Sequence, residues 1–589
     1  TLRHAQNQIQ LTGSLDKDWQ LAMDIAIPTL EQTISGASGD ISANFQLSGK
    51  RDTPQLKGKL NARDLQWQEA SLEQLTLDTD LSLSSEQNLT TALSLQAING
   101  TYQQQSVDQL NLTLNGTELR HQLTLELTSP EHNASIAMSG SLKAGEYWQG
   151  KLVSAQLDSL LGPWQLVDST ALDYRFASAR LTVQPHCWQQ EPANLCAVKP
   201  LKLSAEHIEL DLALQQFALS ALDGFLPEQM ALQGSADAQV SANWQQGKQP
   251  QAQVKLNGNS GNWQYQIEQP LTLGWQNWKL EAALAKDTLT STLQLQLDNN
   301  ASLQTEATIT DVQSSSRNVE GRLLLQQFSL AFLQPLLDQS SELAGMLNSD
   351  LRFNGDLTNP AINGNLALSG FKLSGRQAPL DVTDANIELK FTGQQATLDG
   401  LVSTSKGEIN LNGDAQWPQL DNWQAALKVK GDELSLQIPQ ARLQIAPDLT
   451  LSAKPGLTSL KGTVQIPFAR ISIDSLPQTA VGLSDDTVLL DEELQPIPTE
   501  EKAAFALQTD INVVLGRRVH LSAFGLETRL SGNLRVRQQP NQQPTVNGDV
   551  NLQNGTFRAY GQDLLIRQGK MNFNGPSDQP FLNIEAIRN

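Results

Sequence analysis

Apolar and polar residues alternate with a period of two along almost the whole of this sequence. In the segment 41–48, for example, every odd position is Ile, Ala, Phe or Leu, and every even position is Ser, Asn or Gln. Successive side chains of a β-strand point to opposite faces, so each such segment has one apolar and one polar face. The alternation runs from about residue 9 to the end of the chain. It predicts an all-β protein, a long curled antiparallel sheet with one wet face and a hydrophobic interior.

The number of strands follows from the spacing of the turn signals. Asn-Gly pairs such as Asn115-Gly116 and Asn354-Gly355 separate the alternating segments, as is typical of β-hairpins. About 14 residues for each strand and turn would give roughly 40 strands, and at about 4.8 Å per strand a sheet on the order of 190 Å long. The length of 589 residues is therefore better explained by one continuous sheet, with a few short helices, than by several globular domains.

The apolar face is the candidate functional surface, because exposed apolar patches larger than a few hundred Å² usually mark binding sites. Three arrangements can shield such a face: a sandwich, a solenoid filled by side chains, or a curled trough that stays hollow. Aromatic residues make up only 5% of the chain, and this scarcity of bulky groups favours the trough. We predict that its lining includes Ile41, Phe45, Leu47, Leu110, Leu112, Leu114, Leu123, Leu125, Leu127, Leu293, Leu295, Leu297, Ile409, Leu411, Val546, Val550 and Leu552.

One segment of the chain recurs 111 residues later. The sequence LQQFAL at 214–219 returns as LQQFSL at 325–330, and each copy continues into a short apolar stretch typical of a helix. A glycine follows in both copies, at Gly234 and Gly345. Chance recurrence of a simple β-pattern is the alternative, but the shared offset favours a structural repeat. A proline that opens a strand and a glycine four residues later, as at Pro360 and Gly364, indicate a strand that begins and then bends.

Charge and motif content argue against nucleic acid and against catalysis. The formal net charge is −21, and no basic cluster offers contacts to phosphate. The six histidines are scattered, and none of the glycine-rich, metalloprotease or nucleophile motifs occurs, so we expect neither an enzyme nor a cofactor or metal site. An acidic run with two prolines at 484–502 predicts a flexible loop, which is either simply solvated or contacts a partner.

The two cysteines, Cys187 and Cys196, are separated by eight residues. This spacing is suited to a disulfide that closes a short hairpin. Two buried free thiols are the alternative, and a metal site with His186 would need further ligands. A disulfide would imply an oxidising compartment.

The C-terminal quarter carries a dense pattern of glycines and prolines at fixed spacing from apolar, aromatic and polar residues. They are Gly462, Val464, Ile466, Pro467, Ala469, Ser484, Asp485, Asp486, Leu515, Gly516, Gly525, Leu526, Arg529, Leu530, Gly532, Leu534, Gly548, Gly555, Phe557, Ala559, Tyr560, Gly561, Gln562, Leu564, Gly569, Phe573, Gly575, Pro576, Pro580, Leu582, Ile584, Ala586 and Arg588. The pattern resembles the C-terminal domain of the TamB family, in the AsmA-like group. We therefore divide the chain into a repetitive β-groove region, 1–459, and a TamB-type domain, 460–589, which is incomplete past Arg588 and contains the acidic loop.

The resemblance implies a location and partners that the residue pattern alone does not indicate. Members are anchored in the inner membrane by an N-terminal segment, which we expect to lie outside this chain, and cross the periplasm as a curled sheet called a β-taco. Their C-terminal domain meets TamA, an outer-membrane barrel. They are implicated in phospholipid transport to the outer membrane and in assembly of nascent outer-membrane proteins, including autotransporters. A lipid conduit, an assembly scaffold and a plain structural spacer are the hypotheses that follow, and the conduit is favoured.

Overall fold

The fold is described from a computed structural model of the chain. It describes residues 1–85, 88–103, 105–338, 340–375, 378, 380–419, 421–438, 440–473, 506–540, 542–559, 562–576 and 579–588. The predicted acidic loop 484–502 lies outside the described residues, as do Tyr560 and Gly561. Among the described residues, no helix has both the length and the apolar character needed to cross a membrane.

Strands account for most of the described residues, and the forty described strands belong to one sheet. In chain order, β1 to β40 are Leu2–His4, Asn7–Leu15, Asp18–Ile27, Ala37–Lys50, Thr53–Trp67, Ala70–Leu83, Leu89–Tyr102, Gln105–Thr117, Arg120–Thr128, Asn133–Lys143, Tyr147–Ser159, Gly162–Leu166, Thr170–Arg175, Arg180–Val183, His186–Gln190, Ala193–Ala197, Leu201–Leu203, His207–Ala218, Met230–Gln233, Ser235–Gln245, Gln251–Gly258, Gly261–Tyr265, Leu271–Ala285, Thr288–Leu297, Ser302–Thr310, Asn318–Ser329, Glu342–Asp356, Ala361–Ser374, Val382–Gly393, Gln395–Thr404, Glu408–Gln419, Asn422–Asp432, Leu434–Ile438, Ala441–Lys454, Leu457–Ile473, Ala506–Ala523, Leu526–Gln538, Thr545–Ala559, Gln562–Pro576 and Phe581–Ile587. The short 3-10 helices are Leu30–Gln32, Leu219–Phe225, Asp298–Asn300 and Leu330–Leu336. The predicted all-β fold class, with a few short helices, is confirmed.

The chain divides into two compact units. Unit 1 comprises residues 1–265 and 274–291, and unit 2 comprises 266–273 and 292–589. Within unit 1, β1 to β11 form an antiparallel meander in which each strand pairs with the next. Within unit 2, β25 to β32 form a second meander of the same kind.

Long strands in the second half of unit 1 are replaced by pairs of short strands. The single strand β11 pairs with both β12 and β13, and β18 pairs with both β16 and β17. Pro185 and Pro200 lie in the gaps that separate β14 from β15 and β16 from β17. Because proline has no N–H to donate to a ladder, it is tolerated where pairing is interrupted. The breaks between the short strands therefore lie next to one another in neighbouring strands of the sheet.

The 111-residue repeat is a repeat of structure. The helices Leu219–Phe225 and Leu330–Leu336 are 111 residues apart, and each follows a strand whose register shifts at the LQQF motif. At that shift Gln216 and Gln327 both have a φ of 53°. The backbone N–H of Gln216 donates to Asp237 Oδ1 at 2.7 Å, and that of Gln327 to Asn348 Oδ1 at 2.8 Å. The motif therefore marks a β-bulge held by a side-chain acceptor on the next strand.

One pairing in unit 2 departs from the antiparallel pattern. Strands β35 and β36 run parallel, from Leu457↔Ala506 to Ile473↔Ala523. A parallel pair needs a connection of a dozen residues or more, and the two strands are separated in sequence by residues 474–505, which lie outside the described residues. Period-two alternation could not reveal this reversal of pairing direction.

The hairpin β15–β16 carries the predicted disulfide. Cys187 and Cys196 are direct cross-strand partners, bonded at 2.08 Å with their Cα atoms 4.0 Å apart. The prediction of a disulfide-closed hairpin is confirmed, and the free-thiol alternative is excluded for this pair.

Candidate apolar binding face

The apolar residues of unit 1 line up in rows that cross eight strands, β3 to β10. One row consists of consecutive cross-strand partners: Ile25, Ala43, Leu60, Leu77, Leu95, Leu112, Leu125 and Ile136. The next row on the same face is Met23, Phe45, Gly58, Thr79, Leu93, Leu114, Leu123 and Met138. Register therefore joins the alternating segments into one apolar surface, named here the apolar face of unit 1.

The opposite face of the same strands is polar and solvated. Lys59 and Asp78 form an ion pair of 2.9 Å across β5 and β6, and Lys57 and Asp80 form one of 3.1 Å. A hydrogen bond from Gln55, supported by Lys57, lowers the pKa of Asp80. Exposed cross-strand pairs of this kind contribute little stability individually, but they keep this face hydrated, so the two faces of the sheet differ in polarity.

Several aromatic rings lie against glycines of the neighbouring strand. A Cβ at Gly58 would be 1.9 Å from the ring of its cross-strand partner Phe45, and one at Gly258 would be 1.9 Å from the indole of Trp278. In unit 2 a Cβ at Gly321 would be 2.4 Å from Phe353. These glycines are required because a ring occupies the space above them, and the ring in turn covers backbone that glycine leaves bare.

The predicted residues of unit 1 all lie on the apolar face. Ile41, Phe45 and Leu47 are half-buried on β4 and alternate with exposed polar neighbours. Leu110, Leu112 and Leu114 on β8 are the direct partners of Leu127, Leu125 and Leu123 on β9. These six leucines form one contiguous patch. The prediction that they contact a lipid remains a prediction.

In unit 2 the predicted residues on β24 and β31 are also the more buried members of their strands. Leu293 and Leu295 are half-buried and Leu297 is 4% exposed. Ile409 pairs with Val402 and Gly431, and Leu411 with Gly400 and Val429. Leu411 belongs to a row of cross-strand partners made of Leu368, Ile387, Gly400, Leu411, Val429, Leu449 and Gly462.

The three C-terminal candidates are in a different environment. Val546, Val550 and Leu552 are 7%, 2% and 7% exposed. Val550 and Leu552 pack with Ala469, Val519, Leu530 and Ile566 in a core cluster that spans β35 to β39. Burial to this extent is typical of a filled interior. In this stretch of unit 2 the apolar face is covered by its own side chains, whereas in β3 to β10 it is only half-buried.

The exposure of single residues shows how little of the apolar face is covered elsewhere. Most apolar residues of the strands are partly exposed, and Val519 is the one large side chain among the described residues that is below 2% exposed. This partial exposure indicates apolar area that is available to a ligand.

A distinct cavity of about 400 Å³ lies on the apolar face of unit 1, between strands β7 and β11. Its apolar lining consists of Leu89, Leu114, Leu123, Met138, Leu142 and Trp148. Trp148 Nε1 donates to His121 Nε2 at 2.7 Å, and His121 Nδ1 lies 3.1 Å from the Thr117 carbonyl oxygen. Since indole nitrogen only donates, His121 is the neutral tautomer with its proton on Nδ1. We name this cavity the Trp148 pocket.

The lining residues predicted from the sequence leave out β5 to β7, although strands were predicted there. Leu60, Leu77 and Leu95 complete the rows, and the alternation of β5 to β7 carries the same signal as that of β4. The Trp148 pocket was missed for a different reason. His121, Gly116 and Trp148 interrupt the leucine pattern, and only pairing across strands brings them together.

The chain matches known proteins of one family along its length. The sequence pattern described as the TamB N-terminal domain matches residues 1–368, and that of the TamB C-terminal domain matches residues 398–589. The chain is also similar to the translocation and assembly module subunit TamB of Haemophilus influenzae, with 28% identity over 603 residues. That similarity covers 100% of this chain and 46% of the relative, so the chain spans about half the length of the curated relative.

Proposed function

The chain belongs to the TamB family, and we propose that it is a non-enzymatic conduit for phospholipid between the inner and outer membranes. The observation that carries the proposal is the apolar face of unit 1, where the row from Ile25 to Ile136 is apolar in every strand from β3 to β10. Such a face shields hydrocarbon from water along a path and needs no chemical step.

The energetics favour an acyl chain as the cargo. Hydrocarbon that removes about 300 Å² of apolar surface from water gains roughly 7 kcal/mol. The backbone N–H and C=O groups of these strands are already used in the ladders, so the face offers hydrocarbon contact and few polar contacts. Because many similar rows follow one another, an acyl chain can move from one row to the next without a large change in binding free energy.

We extend the proposal to the setting in which the conduit works. The relative is named a subunit of the translocation and assembly module, and we propose TamA, an outer-membrane barrel, as the partner of residues 460–589. The proposed location is the periplasm, with an inner-membrane anchor outside this chain. The Cys187–Cys196 disulfide supports an oxidising compartment.

The conduit is tested by a charge placed on the apolar face. Leu295→Arg puts a cation beside hydrocarbon, whereas Gln294→Arg places the same side chain at an exposed position of the same strand. We expect Leu295→Arg to reduce the phospholipid that co-purifies with the protein, measured by mass spectrometry, by severalfold, and Gln294→Arg to leave it unchanged. Equal lipid in both variants, with native circular dichroism, would exclude β24 from the conduit.

A scaffold for assembly of outer-membrane β-barrels and autotransporters is the second candidate. It is favoured by the match of residues 398–589 to the TamB C-terminal domain and by the name of the relative, a subunit of the translocation and assembly module. In this role the sheet of the C-terminal domain would template strands of a nascent outer-membrane protein.

This second role predicts that the C-terminal domain is needed for assembly. We expect deletion of residues 460–589 to lower autotransporter assembly in cells. Normal assembly in that variant would contradict the scaffold.

A further inference from the structure

We propose that the Trp148 pocket is a discrete holding site for one acyl chain of a phospholipid, so that lipid pauses at a defined position in unit 1. This inference rests on the proposed conduit, but it goes further by assigning a site. The pocket volume of about 400 Å³ is within the range of small-molecule sites, about 300–1,000 Å³.

The cavity exists because one row of the apolar face changes from leucines to residues that are smaller or polar. The row begins with Leu21, Leu47, Leu56 and Leu81 and continues through Thr91, Gly116, His121 and Gly140. Neither glycine can be replaced by a residue with a side chain without a steric clash. A Cβ at Gly116 would be 2.2 Å from the Arg120 carbonyl oxygen, and one at Gly140 would be 2.6 Å from the ring of Trp148. At Gly116 the backbone therefore excludes a side chain that would have filled the cavity, whereas at Gly140 the Trp148 ring takes the place of one.

The polar atoms around the cavity are largely paired with one another. The indole N–H of Trp148 is used by His121, the Nδ1 proton of His121 is used by the Thr117 carbonyl, and the Thr117 hydroxyl accepts from Arg120 N at 3.2 Å. A ligand that needs hydrogen bonds would have to break these. The pocket thus favours an occupant without polar groups along its length.

Charge in the lining excludes an anionic group. Glu118 is acidic, His121 is neutral, and no lysine or arginine is among the residues that line the pocket. A phosphate or a free carboxylate placed inside would be desolvated beside a carboxylate, without a cation to offset the cost. The occupant therefore enters with its hydrocarbon end, and its headgroup stays outside.

An extended polypeptide is disfavoured for a separate reason. The pocket lies on the face of the sheet, where β7 to β10 are paired on both sides. A peptide laid there would bury its own N–H and C=O groups without partners. Hydrocarbon has no such groups, so the geometry selects an acyl chain over a nascent protein strand.

The test uses the full chain and a phosphatidylcholine that carries a photoreactive diazirine at the end of one acyl chain. Vesicles of this lipid are incubated with the protein and pelleted, the supernatant is irradiated, and crosslinked peptides are mapped by mass spectrometry. We expect crosslinks concentrated in β7 to β11, with about tenfold fewer in Leu123→Arg. Gln122→Arg, at the adjacent exposed position, is the matched control and should crosslink as the unmodified chain does.

A second variant covers the case in which Leu123→Arg does not fold. Leu114→Trp fills the cavity without adding charge, and it should reduce the same crosslinks while the melting temperature is retained. Crosslinks in β7 to β11 that persist in both variants would overturn the pocket. So would labelling by a diazirine fatty acid but not by the phospholipid.

The outcomes separate the pocket from the conduit. Crosslinks at Leu293–Leu297 without enrichment in β7 to β11 would overturn the pocket and leave the conduit standing. Absence of crosslinks at both places would overturn both.

Discussion

Single residues decide where the strands of this protein bend. Gln216 and Gln327 adopt the same left-handed conformation 111 residues apart, and each gives its backbone N–H to a short polar side chain on the next strand, Asp237 in one case and Asn348 in the other. A non-glycine residue in this region costs about 1–2 kcal/mol, and the acceptor offsets part of that cost. The acceptor is therefore an oxygen at this position, whether from a carboxylate or an amide.

The two copies of the repeat supply a prediction with its own control. Asp237→Ala leaves the Gln216 N–H without its acceptor and should lower the free energy of unfolding by about 1 kcal/mol. Asp237→Asn should be close to neutral, because Asn348 has the same role in the second copy. Urea denaturation followed by circular dichroism measures both. A loss for Asp237→Asn as large as for Asp237→Ala would mean that charge, and not the hydrogen bond, matters at the bulge.

At the scale of the element, the weak part of unit 1 is its set of short strands. Strands β12 to β17 have three to six residues each, so each contributes few ladder hydrogen bonds. The disulfide joins β15 to β16 at directly opposed positions. By closing a loop in the unfolded chain, it stabilises the hairpin where strand length does not.

We predict that the double change Cys187→Ala and Cys196→Ala destabilises this hairpin by about 2–3 kcal/mol, the chain-entropy cost for a loop of roughly ten residues. Hydrogen exchange should become faster in β15 and β16, and remain unchanged in β3 to β10. A reducing agent should produce the same change in the unmodified chain and none in the double variant. Uniform acceleration along unit 1 would show that the hairpin and the meander unfold together.

At the scale of the whole molecule, the half-buried apolar face distinguishes this chain from a protein with a filled core. Most apolar residues of the described strands are partly exposed, which leaves much of their area in contact with water. Ligands that cover this face therefore act on the folded state alone, because the unfolded chain has no ordered face. Binding and stability are thus linked.

That linkage predicts a rise in melting temperature with lipid. Diheptanoyl phosphatidylcholine, kept below its micelle concentration, should raise the thermal midpoint progressively. A single site gains about 2.7 kcal/mol at a ligand concentration of one hundred times Kd. Differential scanning calorimetry measures the shift, and Leu295→Arg should reduce it relative to Gln294→Arg. A midpoint that is independent of lipid would contradict the proposed cargo.

The C-terminal candidates show where prediction from pattern reaches its limit. Val550 and Leu125 look alike in sequence, since both occupy apolar positions of alternating strands. The structure places Val550 in a packed cluster and Leu125 on a half-buried surface. The difference depends on tertiary packing between strands. The parallel pair β35–β36, which contributes to the cluster, is not indicated by the alternation of apolar and polar residues.

The sequence by itself determined the all-β class, the two faces of the strands, the 111-residue repeat and the disulfide partners. These are local properties, because side-chain direction follows backbone conformation over a few residues. The sequence placed the strand ends wrongly at Asn115-Gly116 and Asn354-Gly355, which lie inside β8 and β27. The tertiary structure alone decided the register that joins separate leucines into rows, the parallel pairing across residues 474–505, and the Trp148 pocket. Each of these depends on the pairing register of the strands. A register shift of one residue would turn the apolar side chains of a strand to the solvent-exposed face.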